Sequence, residues 1–503
     1  MRMVLAIAAL LIATFSTQAS VTTSPTPASS STEQVDFTRK AIRRAYDHVQ
    51  GNNIPDAIVA LNDAIQSDGF EYLPGDTRYA VLVLAAQANT ENGDHTAAHA
   101  LWVRASELAQ ANRNTWHSRL AAAFRNRDYP DSAHCVTTIA RRWPKTLNKI
   151  RDQAIYRIET ELGKDATQAD ARQALLESLF NANWTDIDGV ANRFWRDLAQ
   201  ILLAKDDVQQ ADPVAARIRS ARIAITMRID KSFDRITQGN PDRYDINRLA
   251  ADELAAARVA VESTPGQLRL WVRLQQLLLD TLQHDQALAI ADDIIAKTKD
   301  GDGKSIYEDF DDYYIWVLNQ RAEALARLGR WDEVVEQLSR ATRRPENGGM
   351  NVSQILNLGW YYAFLEQPAK ALDTVSELGE MSPYGRMQLE MVRLMAALQQ
   401  KDEAAVATHL TYMREHRADA INTWQNALLF SGDLDAAGDL LVERLISEQW
   451  RGDALASMQG YADVPRTPME AVRLQRWREV LAQPKVIQAL SEVGRIENFD
   501  LAG

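Results

Sequence analysis

Ala371, Ala404 and Ala437 stand 33 residues apart, and Val334 lies 37 before the first of them. This recurrence constrains the fold more than any other feature of the sequence. Two helices cross closely only where a side chain is short, so each of these residues marks a place where the second helix of a pair meets the first. A period of this length is one supersecondary unit, which cannot bury its apolar face alone and must stack on its neighbours. A chain of 503 residues, 46% of them apolar, can then grow by stacking instead of packing around a few globular cores.

The remaining sequence agrees with helices throughout. Helical periodicity starts at Val35 and continues nearly to the end, and Gly and Pro mostly fall between the periodic segments: Gly51, Gly75, Gly93, Pro144, Gly239-Asn240-Pro241, Pro265-Gly266, Gly329, Pro345, Pro383, Gly432, Pro484. No run of alternating β-branched residues bounded by turn signals competes with this pattern.

Residues 358–383 carry Leu358, Gly359 and Tyr362 in a first helix, Ala371 in a second and Pro383 at the end. Trp271, Leu274, Leu278 and Ala287 make a second copy. A third keeps Gly329 before its second helix and Ala341 late in it, with Val334 at the small position. Weaker copies centre on Ala57, Ala98 and Ala133. This pattern resembles the tetratricopeptide repeat, a helix–turn–helix unit of about 34 residues. The resemblance implies an all-α, right-handed α-solenoid of stacked helix-turn-helix repeats. It also implies a groove, lined by the first helix of each pair, in which such proteins bind peptides or partner proteins.

The expected organisation begins with a signal peptide over 1–19: a basic start at Arg2, an apolar run from Val4 to Phe15, and small residues at Thr17 and Ala19. A run of twelve residues falls short of the roughly 20 that a spanning helix needs. A flexible Ser/Thr/Pro leader follows over 20–34, then N-terminal repeats over 35–149. An irregular, Arg-studded helical segment spans 150–262, repeats resume over 263–467, and helices and a tail over 468–503 cap the stack. The signal implies export, with the bacterial periplasm as the expected compartment. The single cysteine, Cys135, leaves no intramolecular disulfide to form there. A net charge of −12 disfavours nucleic acid and anionic membranes as partners.

Candidate chemistry is sparse. Thr298–Ser305 (TKDGDGKS) approaches a phosphate-binding loop, but an amphipathic helix precedes it where a β-strand is required, and Thr298 stands where Gly belongs. The acidic residues Asp300, Asp302, Glu308, Asp309, Asp311 and Asp312 suggest calcium, yet Lys304 and Ser305 occupy loop positions that need a ligand and a glycine. His95 and His99 share a helix face as zinc ligands would, but Thr96 stands where a zinc peptidase has its Glu. Cys135 reads as a small buried hydrophobe rather than a nucleophile, because adjacent His134 points in a different direction. Asn183-Trp184-Thr185 and Asn351-Val352-Ser353 are glycosylation-type triplets. No catalytic set, cofactor or metal site is expected.

Placing the repeats on Val334, Ala371, Ala404 and Ala437 and carrying over the groove-facing positions gives Trp316, Asn319, Glu323, Arg327 and Trp360. Arg386, Arg393, Asn422 and Asn426 complete the set. Trp, Arg and Asn are residue types of recognition surfaces: aromatic anchors, forked donors for carboxylates, and amides for peptide backbone. The expectation is a non-catalytic exported scaffold with a locally basic groove over 312–430, binding an acidic peptide, a protein segment or an anionic glycan. An accessory component of envelope polysaccharide export is the alternative. A hydrolase on a helical scaffold ranks third, for want of a nucleophile or metal set.

Overall fold

The computed structural model describes residues 29–186, 189, 191–298, 303–344 and 349–503. The expected signal peptide, most of the leader, and Asp300 and Asp302 of the acidic loop lie outside them. The first described helix starts at Ser29, inside the segment expected to be leader. The chain divides into two compact units, Met1–Ile201 and Leu202–Gly503, with the boundary inside the stretch expected to be irregular.

One turn builds most of the helix pairs. A residue with positive φ ends the first helix, the next residue is the N-cap of the second helix, and four residues later a short side chain is buried against the first. The positive-φ residues are Asn52, Gly93, Arg127, Asp206, Leu282, Gly329, Glu366, Lys401 and Gly432. The N-caps that follow are Asn53, Asp94, Asp128, Asp207, Gln283, Arg330, Gln367, Asp402 and Asp433. At the six Asn and Asp caps the side chain accepts a hydrogen bond from a backbone N–H of the first helical turn, which satisfies a donor that has no partner within the helix. The buried residue four positions on is Ala57, Ala98, Ser132, Ala211, Ala287, Val334, Ala371, Val406 or Ala437. All are fully buried except Val406, which is half-buried.

This corrects three readings. Ser132, four residues after the cap Asp128, holds the crossing position expected at Ala133. Ala404 is exposed, and Val406 occupies the crossing position, so the regular spacing of 33 and 33 resolves into 35 and 31. Pro383 does not end a second helix: Pro368–Thr374 stops earlier, and Pro383 opens the next first helix, Pro383–Gln400, behind the cap Ser382. Proline is well tolerated there, since the first-turn N–H it lacks would have had no helical acceptor.

In the first unit the helices Ser29–Gln50 and Ile54–Gln66 pair, as do Gly75–Glu91 with His95–Ser106 and Arg113–Arg125 with Tyr129–Arg142. Ala-rich cores such as Ala57, Ala60, Ala85, Ala88 and Ala98 let the backbones approach. Asp152–Gly163 and Ala169–Asn181 follow, joined by charge in the interior. Glu159 is fully buried and accepts from Arg172 and Arg193, while Arg172 also reaches Asp197 at 2.8 Å.

In the second unit five pairs follow one another: Leu268–Asp280 with His284–Lys297, Phe310–Arg327 with Trp331–Ala341, Val352–Phe364 with Pro368–Thr374, Pro383–Gln400 with Glu403–Glu415, and Ile421–Ser431 with Leu434–Ile446. The helices Pro468–Leu481 and Pro484–Val493 were expected to cap the stack. Both pack on Leu434–Ile446, and Pro468–Leu481 reaches further, against the first helices Ile421–Ser431 and Val352–Phe364, on the wall expected to be an open groove. Arg476 there donates to the carbonyls of Leu429 and Phe430 at 2.8 and 2.6 Å, satisfying the end of helix Ile421–Ser431. No helix among the described residues is long and apolar enough to cross a membrane.

Candidate functional site

The expected groove residues divide into three settings. Trp316 is 40% exposed on Phe310–Arg327. Asn319, on the same helix, is engaged by the next repeat, accepting from Asn357 at 3.0 Å and Gln354 at 3.3 Å. Glu323 and Arg327 pair with each other at 2.9 Å, and Arg327 also donates to the Gly503 carbonyl at 3.2 Å. That end of the wall is therefore covered by the chain itself. Trp360 is half-buried, edge-on to Phe364 at 5.2 Å between centroids.

Arg386 and Arg393 come together. They lie two turns apart on Pro383–Gln400, with Glu390 between them, so all three project from one face. Glu390 is buried, and its carboxylate forms an ion pair with Arg386 at 2.9 Å and hydrogen bonds with Arg393 at 3.2 Å and His409 at 2.6 Å. Burial opposes ionisation of Glu390, but the His409 hydrogen bond and the charges of His409, Arg386 and Arg393 outweigh it and hold the carboxyl below its usual range. One carboxylate thus anchors two guanidinium groups, whose remaining N–H donors stay available.

Those donors face an open pocket of about 570 Å³. Apolar lining comes from Leu378, Met381, Pro383 and Leu389, and cationic and aromatic lining from Arg386, Arg393, Tyr412 and His416. The Arg386 guanidinium lies 5.5 Å over the Tyr412 ring, which itself stacks on His416 at 4.2 Å. The stack fixes the guanidinium plane, so a carboxylate entering the pocket meets donors already oriented. Glu380 and Asp419 also line the pocket, and Asp419 lies 3.5 Å from His416.

Asn422 and Asn426 belong to a different environment. Asn422 is exposed, but its side-chain oxygen accepts from Arg444, a buried arginine of the paired helix Leu434–Ile446. Arg444 also reaches Gln425 Oε1 at 3.4 Å, and its Nε has no partner. Burial lowers its pKa to about 10. Asn426 is half-buried.

The other sequence candidates have structural roles. Asp309 caps the helix Leu268–Asp280 with both carboxylate oxygens, accepting from Leu268 N at 2.6 Å and Arg269 N at 3.0 Å. Lys304 pairs with Asp311 at 2.7 Å. His99 bonds Asp131 at 2.8 Å, and Cys135 is fully buried, where burial foremost pushes its thiol far up. Asn351 is buried as a helix cap donating to the Ala341 and Arg344 carbonyls, so its triplet presents no accessible amide. Among the described residues no group of three or more His, Cys, Asp or Glu is placed to hold a metal ion.

No family model matches the chain, and no curated protein matches it. Solved structures similar to it include the APC/C hetero-tetramer Cut9–Hcn1, 13% identical over 90% of this chain and 89% of that one, with a TM-score of 0.28. Yeast Tom70 is 12% identical over 91% and 99%, at 0.29. A tetratricopeptide repeat protein from Parabacteroides merdae is 11% identical over 62% and 94%, at 0.27. Scores this low carry no argument about the chain. Its own recurring turn, buried small residues and successive helix pairs make it an all-α chain of stacked helix–turn–helix repeats.

Proposed function

We propose that this protein is a non-catalytic binding scaffold, and that the Arg386–Arg393 pocket of its second unit receives an acidic side chain of a partner protein or peptide. The observation that carries this reading is the pair of guanidinium groups held over one buried carboxylate at an open pocket. Both cations are oriented before any ligand arrives, which reduces the ordering cost of binding. Apolar walls beside them favour an acidic residue next to an apolar one in a peptide over a polyanionic glycan, which offers little apolar surface. Protein binding is also what the repeat architecture serves in the family the sequence resembles, a fold-level analogy.

Export to the periplasm belongs to the same proposal and rests on the pattern of residues 1–19. Fractionation of the native host with N-terminal sequencing of the recovered protein tests it: a chain starting near Ser20 supports export, and an intact Met1 in the cytoplasm refutes it.

The binding reading is tested by capturing partners with a photoreactive residue at Leu378, which lines the pocket, and with the same probe at exposed Asp373 as control. A discrete protein captured only from Leu378, and lost with Arg386→Glu plus Arg393→Glu, supports the pocket. Equal capture from both positions, capture that survives charge reversal, or recovery of a polysaccharide instead of a protein refutes it.

A further inference from the structure

Residues 495–503 leave the helix Pro484–Val493 at Gly494 and run back across the second unit as an extended segment. Its side chains alternate. Glu497, Phe499 and Leu501 point into the protein, where Phe499 and Leu501 are buried, while Asn498 and Asp500 are exposed. This is the period-two alternation of a half-buried strand.

The backbone of the segment is held mostly by groups that would hold any sequence. Gly460–Tyr461 pairs with Asn498–Phe499 in parallel, with Gly460 N donating to the Glu497 carbonyl and Ala462 N to the Leu501 carbonyl, both at 3.0 Å. The Gln459 side-chain oxygen accepts from Glu497 N at 2.7 Å. Ala502 N donates to the Asp280 carbonyl at 2.9 Å, and Arg222 donates to the Ala502 carbonyl at 3.2 Å.

Arg495 ties down the start of the segment, paired with Asp234 at 2.6 Å and with its backbone N donating to the Ile229 carbonyl at 3.0 Å; beyond it, side-chain selection comes from three contacts. Arg228 meets the Glu497 carboxylate at 2.5 Å, the Phe499 ring lies 6.1 Å from Tyr461 and 6.0 Å from the Arg228 guanidinium, and Leu501 is buried. Backbone pairing with a pocket for every second side chain is the geometry by which a sheet edge receives a foreign peptide.

We propose that this surface is a second docking site, and that residues 495–503 are its resident, exchangeable occupant. The partner it fits is an extended protein segment carrying an acidic residue followed at two-residue steps by an aromatic and an aliphatic one. The bound segment displays that chemistry directly. Exchange needs only the part beyond Arg495 to leave: its release uncovers Phe499, Leu501 and Ala502 and breaks the two-residue ladder, the Arg228–Glu497 pair and the Ala502 bonds, while Arg495, paired with Asp234 at 2.6 Å, keeps the start of the segment in place. Release also breaks the Arg327–Gly503 hydrogen bond at that end of the first-helix wall. The site is independent of the Arg386–Arg393 pocket.

The test uses the full chain with Phe499→Ser and Leu501→Ser, which loosens the resident segment, and a fluorescent peptide copying residues 494–503. Anisotropy is expected to show the variant binding the peptide at least tenfold more tightly than the parent. A peptide carrying the same two substitutions should not bind. Arg228→Glu in the receptor should weaken binding. A variant with parental helix content that leaves the peptide unbound, equal binding to parent and variant, or exchange seen only as a dimer of the chain overturns the proposal. Hydrogen exchange on the unmodified protein tests it without any substitution. The Gly460, Ala462 and Ala502 amides are expected to exchange faster than those in the interior of Leu434–Ile446, and equal protection overturns exchangeability.

Discussion

Nε2 of His99 lies 2.8 Å from Oδ2 of Asp131, a hydrogen bond from one helix pair of the first unit to the next. The same carboxylate accepts from Arg119 Nε at 3.0 Å, and Arg119 in turn donates to Ser106 at 2.8 Å. Arg119 is buried, so removing the carboxylate strands a cation away from water. Asp131→Asn is expected to destabilise the first unit by about 3 kcal/mol. His99→Gln removes one hydrogen bond and strands no charge, and should cost about 1 kcal/mol. Urea denaturation of both variants checks the order, and equal losses would show that His99, not the Arg119 charge, dominates the cluster.

Acidification should weaken the fold through buried histidines before it reaches the carboxylates of Asp131 and Glu390. Burial foremost lowers the pKa of His117, His134 and His284, with nearby arginine or lysine charges adding to it. A folded pKa below the unfolded value means that the unfolded chain binds more protons between the two. The stabilisation is therefore complete above the unfolded histidine value of about 6.5 and is lost as pH falls through the folded values. Burial opposes ionisation of Asp131 and Glu390 too, but their cationic partners outweigh it and lower both carboxyl groups, so their contribution disappears only in a separate, more acidic window. The Tm is expected to fall between about pH 7 and about pH 5, and His134→Gln should make that fall shallower. A Tm independent of pH over this range contradicts the assignment.

Two glycines should respond oppositely to asparagine. A Cβ on Gly359 would lie 2.7 Å from Val375 Cγ1 and 3.3 Å from Val392 Cγ1, inside the packing of three helices. A Cβ on Gly93 would meet nothing within 4 Å, but Gly93 has φ +83° in the turn between two helices. Gly359→Ala is expected to cost roughly 1–2 kcal/mol through overpacking, after the gain in helix propensity is set against it. Gly93→Ala should cost about 1 kcal/mol through backbone strain. Asparagine tolerates the left-handed region, so Gly93→Asn should recover most of that loss, whereas Gly359→Asn should be worse than alanine. Thermal melts of the four variants separate crowding from strain.

The repeat was legible because its signal is steric. Ala57, Ala98, Ala287, Val334, Ala371 and Ala437 all sit where a short side chain is required, and all are fully buried. Ala404 misled because alanine is also a good residue for an exposed first turn. The cap Asp402, four residues before Val406, was the better guide, and the same spacing from Asp207 to Ala211 marks the start of helix Val208–Ala215 within the stretch that looked irregular. Much of 150–201 lacked periodicity for a physical reason: Glu159, Arg172 and Asp197 face inward in an ion network, so hydrophobicity does not track burial there. Arg386 and Arg393 were legible as cations sharing a helix face, but the buried Glu390 that positions both was not, because an acidic residue inside a helix ordinarily reads as solvated. Coverage of the wall near Arg327 depends on contacts across 176 residues, which no local pattern reports.

Arg444 makes the sharpest stability prediction of the second unit. Its guanidinium is buried, yet its partners are the neutral side-chain oxygens of Asn422 and Gln425, and Nε bonds to nothing. No carboxylate is bonded to it, and desolvation outweighs the favourable charge of Asp453, so a residue of similar length without charge should fit the same space. Arg444→Met is expected to be neutral or to stabilise the unit by about 1–2 kcal/mol, as replacement of buried charge by apolar packing often does. Arg444→Ala should instead destabilise by about 2–3 kcal/mol, because it leaves a cavity. Denaturant midpoints of the two variants decide the matter. A large loss with methionine would mean that the bonds to Asn422 and Gln425 outweigh the desolvation of the cation, and that the arginine holds the two helices in register through them.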